Sequence, residues 1–398
     1  MSKPFITYHA QIEKLKNEKN LIITDADFAV ESLQNIGYYA LIGGYKHPFI
    51  DIHTRKYINR ACFEDIVALY EFDEELRGIF FTYLCRVERK MRSSISYHFC
   101  QKHGECQEEY LNPNNYGNIP KNKNGIDKLI KMLDMMANKN KDHEYLVYQR
   151  NKYHNIPLWV IMNTLTFGQI SKMFEFLPQN MQGTICQDFG NVKKNEMIKY
   201  LKVLTLYRNV CAHNERLFSY HTYIDIPDTL LHKKLNIPKN GSKYLYGKND
   251  LFSVVIVFRY LLPKTDFLQF KKQILHILTQ YKKHNSKLKL NDLFKYMGKR
   301  CASLPINSVI RYFALSKVNP STLLSDRKIT GYFPIYSSQS ALFSAIYKPS
   351  NREASAPVSK NERSILMFKV FPKRRGRVNS VTSPPVSTNC SIRFVLSM

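Results

Sequence analysis

One long amphipathic pattern constrains the fold of this chain more than any other feature of its sequence. Between Leu69 and Ile95, apolar residues recur at steps of three and four, which is the spacing of one face of an α-helix. These residues are Leu69, Phe72, Leu76, Phe80, Leu84, Val87, Met91 and Ile95. The pattern predicts one long helix, or two in line, whose apolar face must be covered by other helices.

Shorter segments show the same helical spacing, and signals for strands are scarce. Asp25 is a good N-cap for a helix that ends at Ile36, where Gly37 can take the left-handed conformation. Further helices are predicted over residues 7–20, 126–137, 157–165, 169–177, 195–212, 251–262 and 267–281. Strand prediction is limited to a hairpin around residues 49–58, and no internal repeat indicates a solenoid. The chain is therefore predicted to be all-α.

The composition of the chain changes near residue 298. Residues 299–398 contain 18 serines against 10 in the preceding 298 residues, and 16 Lys and Arg against 3 Asp and Glu. Proline and serine are scattered there without a sustained helical period, so this basic tail is predicted to be largely disordered or atypical. Its patch of Lys373, Arg374, Arg375 and Arg377 could add non-specific affinity for RNA phosphates. The alternative is a solvated tail with no dedicated role.

The charge of the chain points to an anionic partner. Of the formal net charge of +27, the tail contributes +13, which leaves +14 for residues 1–298. A balance of this kind attracts polyanions, so nucleic acid is the first partner to test. No segment reaches the roughly 18 apolar residues that span a bilayer, and the first residues lack the apolar core of a signal peptide. A cytoplasmic location without a membrane partner is expected.

The cysteines indicate reduced thiols and leave one alternative open. Eight cysteines occur, and none forms a C-x-x-C pair. His98, Cys100, His103 and Cys106 fall within nine residues and are all residue types that bind zinc. Their spacing matches no common zinc pattern, and the first of them lie at the end of the long helical run. The prediction is therefore that no metal is bound, and a zinc-stabilised interaction module remains the alternative.

An arginine interrupts the apolar face of a second helix. In residues 195–212, the apolar line runs through Met197, Leu201 and Leu204 and then meets Arg208 and Cys211 at the same steps. A buried charge costs several kcal/mol unless it is paired or lies in a polar cleft. Arg208 is therefore either part of a structural ion pair, with a carboxylate of the long helix such as Glu88, or a phosphate-binding residue.

His213, five residues after Arg208, can titrate near neutral pH, as general acid–base chemistry requires. At about 100° per residue the two side chains are about 140° apart on a helix, whereas Asn209 and His213 are stacked at i and i+4. A site that uses both Arg208 and His213 needs the helix to end between them, or a second copy of the motif across a dimer axis. Asn214 is a plausible helix stop.

The spacing of Arg208 and His213 is weak on its own, because chance supplies similar pairs. Two more occur in this chain, Arg92 with His98 and Arg216 with His221. Coincidence is the preferred explanation for an isolated pair of this kind.

Longer blocks of sequence supply the missing context. They are KPFITYHAQIEKLK, LQNIGYYALIGGY, LYEFDEELRGIFFTYLCRVERKMRSSISYHF, IPLWVIMNTLTFGQISKMFEFL and LKVLTLYRNVCAHNERLF. In order and spacing, over most of residues 3–225, they resemble the Abi proteins of bacterial phage defence. That family is similar to the helical HEPN superfamily, whose R-x4-6-H motif corresponds here to Arg208, Asn209 and His213. The resemblance selects this pair over the other two.

The resemblance implies a fold and a division of the chain. It implies an HEPN-like helical bundle over residues 1–225. Additional helices are predicted over residues 226–298, and the Ser-rich tail over residues 299–398 has no counterpart in the family. Trp159, Phe167 and Gly168 match a W…TFG block, which is interpreted as core packing and a helix joint. Tyr38 and Tyr39 are interpreted in the same way, since an aromatic residue on an apolar helix face is usually core.

The resemblance also implies a chemistry, which is cleavage of RNA by its own 2′-OH without a metal or other cofactor. His213 would be the acid–base group, Arg208 would stabilise the phosphorane and Asn209 would orient either the imidazole or the scissile phosphate. Glu88 and Arg92 match charged positions of the long helix and would support Arg208. HEPN sites usually combine two motifs, so a homodimer is expected. The alternative is a non-catalytic RNA-binding sensor, or one half of a toxin–antitoxin pair with a regulatory RNA or an antitoxin as partner.

Overall fold

The computed structural model of the chain describes residues 4–298, except residues 191 and 285. The basic tail, with Lys373, Arg374, Arg375 and Arg377, lies outside the described residues. The α-helices are α1 Tyr8–Glu13, α2 Ala26–Ile36, α3 Phe63–His103, α4 Gln107–Leu111, α5 Lys123–Lys139, α6 Glu144–Tyr153, α7 Leu158–Ile161, α8 Phe167–Phe176, α9 Gln179–Gln187, α10 Lys194–Ala212, α11 Leu230–Lys234, α12 Leu251–Leu261, α13 Lys264–Lys283 and α14 Leu290–Tyr296.

Short helical turns and one small hairpin complete the described part. Lys14–Glu18 and Tyr39–Gly43 are π-helical, and 3₁₀ turns lie at His47–Phe49, Pro113–Asn115, Pro120–Asn122 and Met162–Thr164. Strands β1 Lys239–Asn240 and β2 Lys243–Tyr244 pair antiparallel. The predicted all-α class is confirmed. In the described part, no helix combines the length and the apolarity that crossing a bilayer requires.

The helix α3 organises the core. It runs for 41 residues, so it is longer at both ends than the apolar period of residues 69–95 predicted. At its start the carboxylate of Asp65 accepts a hydrogen bond from the backbone N–H of Cys62 at 3.0 Å, which caps the first turn. At its end Gly104 has φ +94°, a backbone conformation that residues other than glycine rarely adopt.

The helices α10 and α13 pack along α3, and α8 packs on α10. Between α3 and the C-terminal helices, the ring of Phe80 lies 5.9 Å from that of Phe258 and 5.2 Å from that of Phe270. At the edge of the same contact, Arg86 pairs with Asp266 at 2.8 Å. The buried apolar residues form one cluster that extends from Ile12 to Met297. The helices after residue 226 therefore share the core of the first 225 residues.

The predicted hairpin at residues 49–58 is wrong in extent. A single antiparallel bridge joins Ile50 to Tyr57, and no strands form there in the described structure. The carboxylate of Asp51 accepts hydrogen bonds from the backbone N–H groups of His53 and Thr54, and Arg55 has φ +57°. These side-chain contacts close a local turn in place of a strand ladder.

We expect the tail to be dispensable for folding, because the apolar cluster of the described part already extends to Met297. Removal of residues 300–398 should leave far-UV helicity per folded domain, and the cooperativity of urea unfolding, essentially unchanged. Circular dichroism of the truncated and the full chain tests this. Loss of a cooperative transition in the truncated chain would show that the tail is part of the core.

Candidate active site

Arg208 lies where the apolar face of α10 reaches the surface. Met197, Leu201 and Leu204 are fully buried, as the sequence pattern predicted. One turn later the side chain of Arg208 is 27% exposed, and Cys211 is again buried. The guanidinium therefore sits at the rim of the core, where it can meet both a buried carboxylate and a ligand from solvent.

A buried carboxylate on α3 lies beneath this arginine. The side chain of Glu88 is 4% exposed, and its Oε2 lies 3.7 Å from Nε of Arg208. Its other oxygen accepts a hydrogen bond from Arg92, which also donates to the backbone carbonyl of Leu165 at 2.7 Å. One negative charge is thus shared by two guanidinium groups. The local charge stays positive, which favours an anionic ligand.

The side chain of Arg208 has only weak polar contacts with the rest of the described protein. At 3.7 Å its contact with Glu88 is an ion pair and too long for a good hydrogen bond. Within the described part of the chain, the side chain of Arg208 makes no hydrogen bond, and Phe81 contributes a cation–π contact at 5.8 Å from the ring centroid. The ion pair orients the side chain and leaves its terminal nitrogens available for phosphate oxygens.

The helix α10 ends between the two motif residues. Ala212 is its last residue, and the backbone N–H of His213 donates to the carbonyl of Asn209 at 2.9 Å. Asn214 then takes φ +54°, the left-handed conformation that stops a helix. This turn comes after His213, and no hydrogen bond or ion pair joins the side chains of Arg208 and His213 in the described residues. Of the two arrangements that would let one site use both residues, a second copy of the motif across a dimer axis therefore stays a prediction. Asn209 and His213 are both exposed.

The imidazole of His213 is exposed to solvent, whereas the neighbouring thiol of the motif is not. Cys211, between the two motif residues, is buried, and burial raises the pKa of its thiol to about 12. A thiol of that kind stays protonated near neutral pH and is a poor general base. The exposed imidazole of His213 has no side-chain hydrogen bond to any described residue, so it can turn toward a ligand.

The segment that follows His213 is hydrogen-bonded to a carboxylate of α3. The carboxylate of Asp73, which is fully buried, accepts hydrogen bonds from the backbone N–H groups of Leu217 at 2.9 Å and Phe218 at 2.7 Å. It also accepts from Tyr45 and pairs with Arg77, each within 3 Å. This group was not among the predicted site residues. Its signal was the pair of Asp73 and Arg77, one helical turn apart among the buried positions of α3.

The sequence profile of the family described as Abi-like protein matches residues 31–219. The matched part of the chain belongs to this family. It contains Glu88 and Arg92 on α3, the motif of Arg208 and His213, and the segment that Asp73 anchors. The match supports a role in abortive infection, a form of phage defence. A comparison with curated proteins found no match, and a comparison with solved structures found none either.

The other two arginine–histidine pairs of the chain do not form comparable sites. Arg92 donates a hydrogen bond to Glu88, whereas His98 pairs with Asp188 at 3.0 Å. Arg216 donates to the backbone carbonyl of Gly44 at 2.7 Å. Together with His221 it lines a separate cleft of about 930 Å³ beside α14.

The four side chains considered as zinc ligands do not converge on one point. His98 pairs with Asp188, and the ring of His103 packs 4.8 Å from that of Phe99. Cys100 is half-buried and Cys106 is exposed. In the described part of the chain, no three His, Cys, Asp or Glu side chains are grouped so that they could hold a metal ion.

Two aromatic residues assigned to the core lie at the surface. Trp159 is 51% exposed and Tyr39 is 89% exposed, so the core interpretation is wrong for both. Phe167 is buried and Tyr38 packs partly against the core, as predicted. Gly168 lies at the start of α8, where a Cβ atom would come within 3.4 Å of Thr205 on α10.

Proposed function

We propose that this Abi-like protein is a metal-independent endoribonuclease of the HEPN type that cleaves RNA during phage defence. The observation that carries the proposal is the end of α10, which keeps Arg208 on the buried Glu88 and leaves His213 exposed just beyond the last turn. A cationic donor and an imidazole supply two of the functions that cleavage by the 2′-OH needs, which are stabilisation of the phosphorane charge and proton transfer.

In the proposed reaction the 2′-oxygen of the substrate attacks the adjacent phosphorus. His213 accepts the proton of the 2′-OH, and Arg208 stabilises the charge that develops on the non-bridging oxygens. Asn209, one turn before His213, orients the imidazole or the phosphate. The bond from phosphorus to the 5′-oxygen breaks, the leaving oxygen takes up a proton, and the products are a 2′,3′-cyclic phosphate and a 5′-hydroxyl. DNA lacks the nucleophile and should survive.

The second candidate is an RNA-binding protein that does not cut. The ion pair between Arg208 and Glu88 favours it, because that contact also fits a purely structural arginine. Such a protein would be a sensor or a toxin–antitoxin component with a regulatory RNA or an antitoxin as partner. Incubation of the purified protein with total RNA separates the two candidates, since the sensor leaves the RNA intact.

The broadest test compares the wild type with His213→Ala in cells. Expression of the wild type should stop host growth and degrade RNA, whereas the variant at equal abundance should do neither. Equal toxicity of both proteins would show that His213 does not carry the activity.

A homodimer follows from the same chemistry. The reaction needs one group to accept a proton and another to donate one to the leaving oxygen, and one chain supplies a single credible motif of this kind. Two exposed copies of His213, one from each protomer, would serve as base and acid. Light scattering at micromolar concentration should give twice the mass of the chain. A monomer with full ribonuclease activity would contradict the proposal.

A further inference from the structure

A groove of about 640 Å³ lies along α3 next to the candidate active site. One wall follows a single face of α3, at steps of one, three and four residues, and the other comes from α7 and the turn after it. The lining includes Arg89, Arg92, Tyr97, Gln101, Trp159 and Asn163. From Arg89 to Gln101, a helical rise of about 1.5 Å per residue gives a length of about 18 Å. We refer to it as the Trp159 groove.

The groove exposes large aromatic surfaces that the core does not use. Trp159 is 51% exposed and Tyr97 is 63% exposed, although Phe80, Tyr83 and Phe99 of α3 are fully buried. Single exposed apolar residues are ordinary, but two such rings in one concave groove indicate a surface that meets a ligand.

The charged residues that line the groove are all basic. Its described lining contains Arg89 and Arg92 and no carboxylate, and Ser93, Gln101 and Asn163 add hydrogen-bonding groups. Flat aromatic rings beside arginines are how proteins hold unpaired nucleotides, because every base has a stackable face and every linkage has a phosphate. This chemistry selects a single strand, since the bases of a duplex are already stacked on one another.

Arg92 connects the groove to the candidate site. It lines the groove, it hydrogen-bonds to Glu88, and Glu88 is the partner of Arg208. Its second hydrogen bond, to the carbonyl of Leu165, holds the segment after Trp159 and Asn163 against α3. A strand whose phosphate lies on Arg208 can therefore continue over Arg92 into the groove.

We propose that the Trp159 groove binds unpaired nucleotides of single-stranded RNA that flank the cleaved phosphate, with one base stacked on Trp159. The inference rests on the proposed function and adds a binding site that the R-x4-H motif does not contain. It makes Trp159 a determinant of which RNA is bound, while the chemistry stays at Arg208 and His213.

The first experiment uses the fluorescence of Trp159, the single tryptophan of the chain. The protein is the full chain with His213→Ala, so that the RNA remains intact if the protein cleaves. Titration with a short unstructured RNA should quench the emission, because a base stacks on the indole ring. A blunt duplex of the same sequence should bind with little quenching. Absence of quenching by the single strand, or equal quenching by both forms, overturns the proposal.

The second experiment measures affinity by fluorescence anisotropy of a labelled RNA. In the His213→Ala background, Trp159→Ala should weaken binding by about 5- to 150-fold, the range for loss of one stacked base. Trp159→Phe should recover much of the loss, because phenylalanine also stacks. The matched control is Tyr223→Ala, which removes another highly exposed aromatic ring outside the groove and should bind like the parent. Equal affinity of Trp159→Ala and Tyr223→Ala would overturn the proposal, provided that thermal melts show both folded.

These results separate the groove from the proposed nuclease. If the wild type leaves RNA uncut but the single strand quenches Trp159, the nuclease proposal fails and the groove stands. If the wild type cuts RNA and Trp159→Ala binds and cuts like the wild type, the groove fails and the nuclease stands.

Discussion

His213→Ala is expected to lower the rate of RNA cleavage by about 10²- to 10⁴-fold, the contribution of a general acid–base group. The side chain is exposed and makes no side-chain hydrogen bond to a described residue, so its removal should leave the melting temperature unchanged. Cleavage of a labelled RNA, with a thermal melt of each protein, measures both effects. Cleavage at the wild-type rate would show that the proposed site is wrong.

The matched controls are Arg216→Ala and His221→Ala. Arg216 and His221 are the other arginine–histidine pair near the motif. They line a different cleft and should retain cleavage. The wild-type reaction should persist in EDTA and leave a 2′,3′-cyclic phosphate, because the attacking oxygen belongs to the substrate. Loss of activity in EDTA would instead indicate a metal-dependent nuclease.

Arg208→Ala tests the second motif residue and separates its two interpretations. Cleavage should be lost in either case, but the expected stability differs. If Glu88 depended on Arg208 alone, its removal would strand a buried carboxylate at a cost of about 3–5 kcal/mol. Because Arg92 remains hydrogen-bonded to Glu88, we expect a smaller loss of stability and a folded, inactive protein. Arg208→Lys should also fail substantially, since a point charge cannot reproduce a two-pronged contact with phosphate.

Features that depend on neighbours in sequence were predicted well. The period of three and four residues predicted the long helix α3, and Asn214 was correctly predicted as the helix stop just after His213. The ion pair with Glu88 was one of the two alternatives for Arg208, because an arginine on an apolar line needs either a partner or a polar cleft. Whether these residues cleave RNA stays a prediction.

Features that depend on distant contacts were missed. Trp159 lies in a strongly apolar segment, yet that segment turns its ring away from the core and toward α3. Helix α6 was missed because Leu146 is its one fully buried residue, so its sequence lacks an apolar period. The hydrogen bonds of Asp73 to Leu217 and Phe218 join residues about 145 positions apart, which a local pattern cannot reveal.

Asp73→Ala is expected to give the largest loss of stability among single substitutions near the site, about 3–5 kcal/mol. The substitution leaves Arg77, a nearly fully buried cation, without its carboxylate. It also removes the acceptor of the Leu217 and Phe218 N–H groups, so the chain after His213 loses its anchor. Urea unfolding followed by circular dichroism measures the change, and RNA cleavage should fall even under conditions where the variant is folded.

Two further variants show whether the cause is the stranded charge. Asp292→Ala removes an aspartate of an exposed pair with Lys295 and should change stability by about 0–1 kcal/mol. Asp73→Ala combined with Arg77→Met removes both buried charges and should recover part of the loss, because an apolar side chain of similar length needs no partner. If Asp73→Ala unfolds at the same urea concentration as Asp292→Ala, the buried pair does not hold the segment after His213. If the double variant is folded but still inactive, the two backbone hydrogen bonds of Asp73, rather than its charge, position His213 for the reaction.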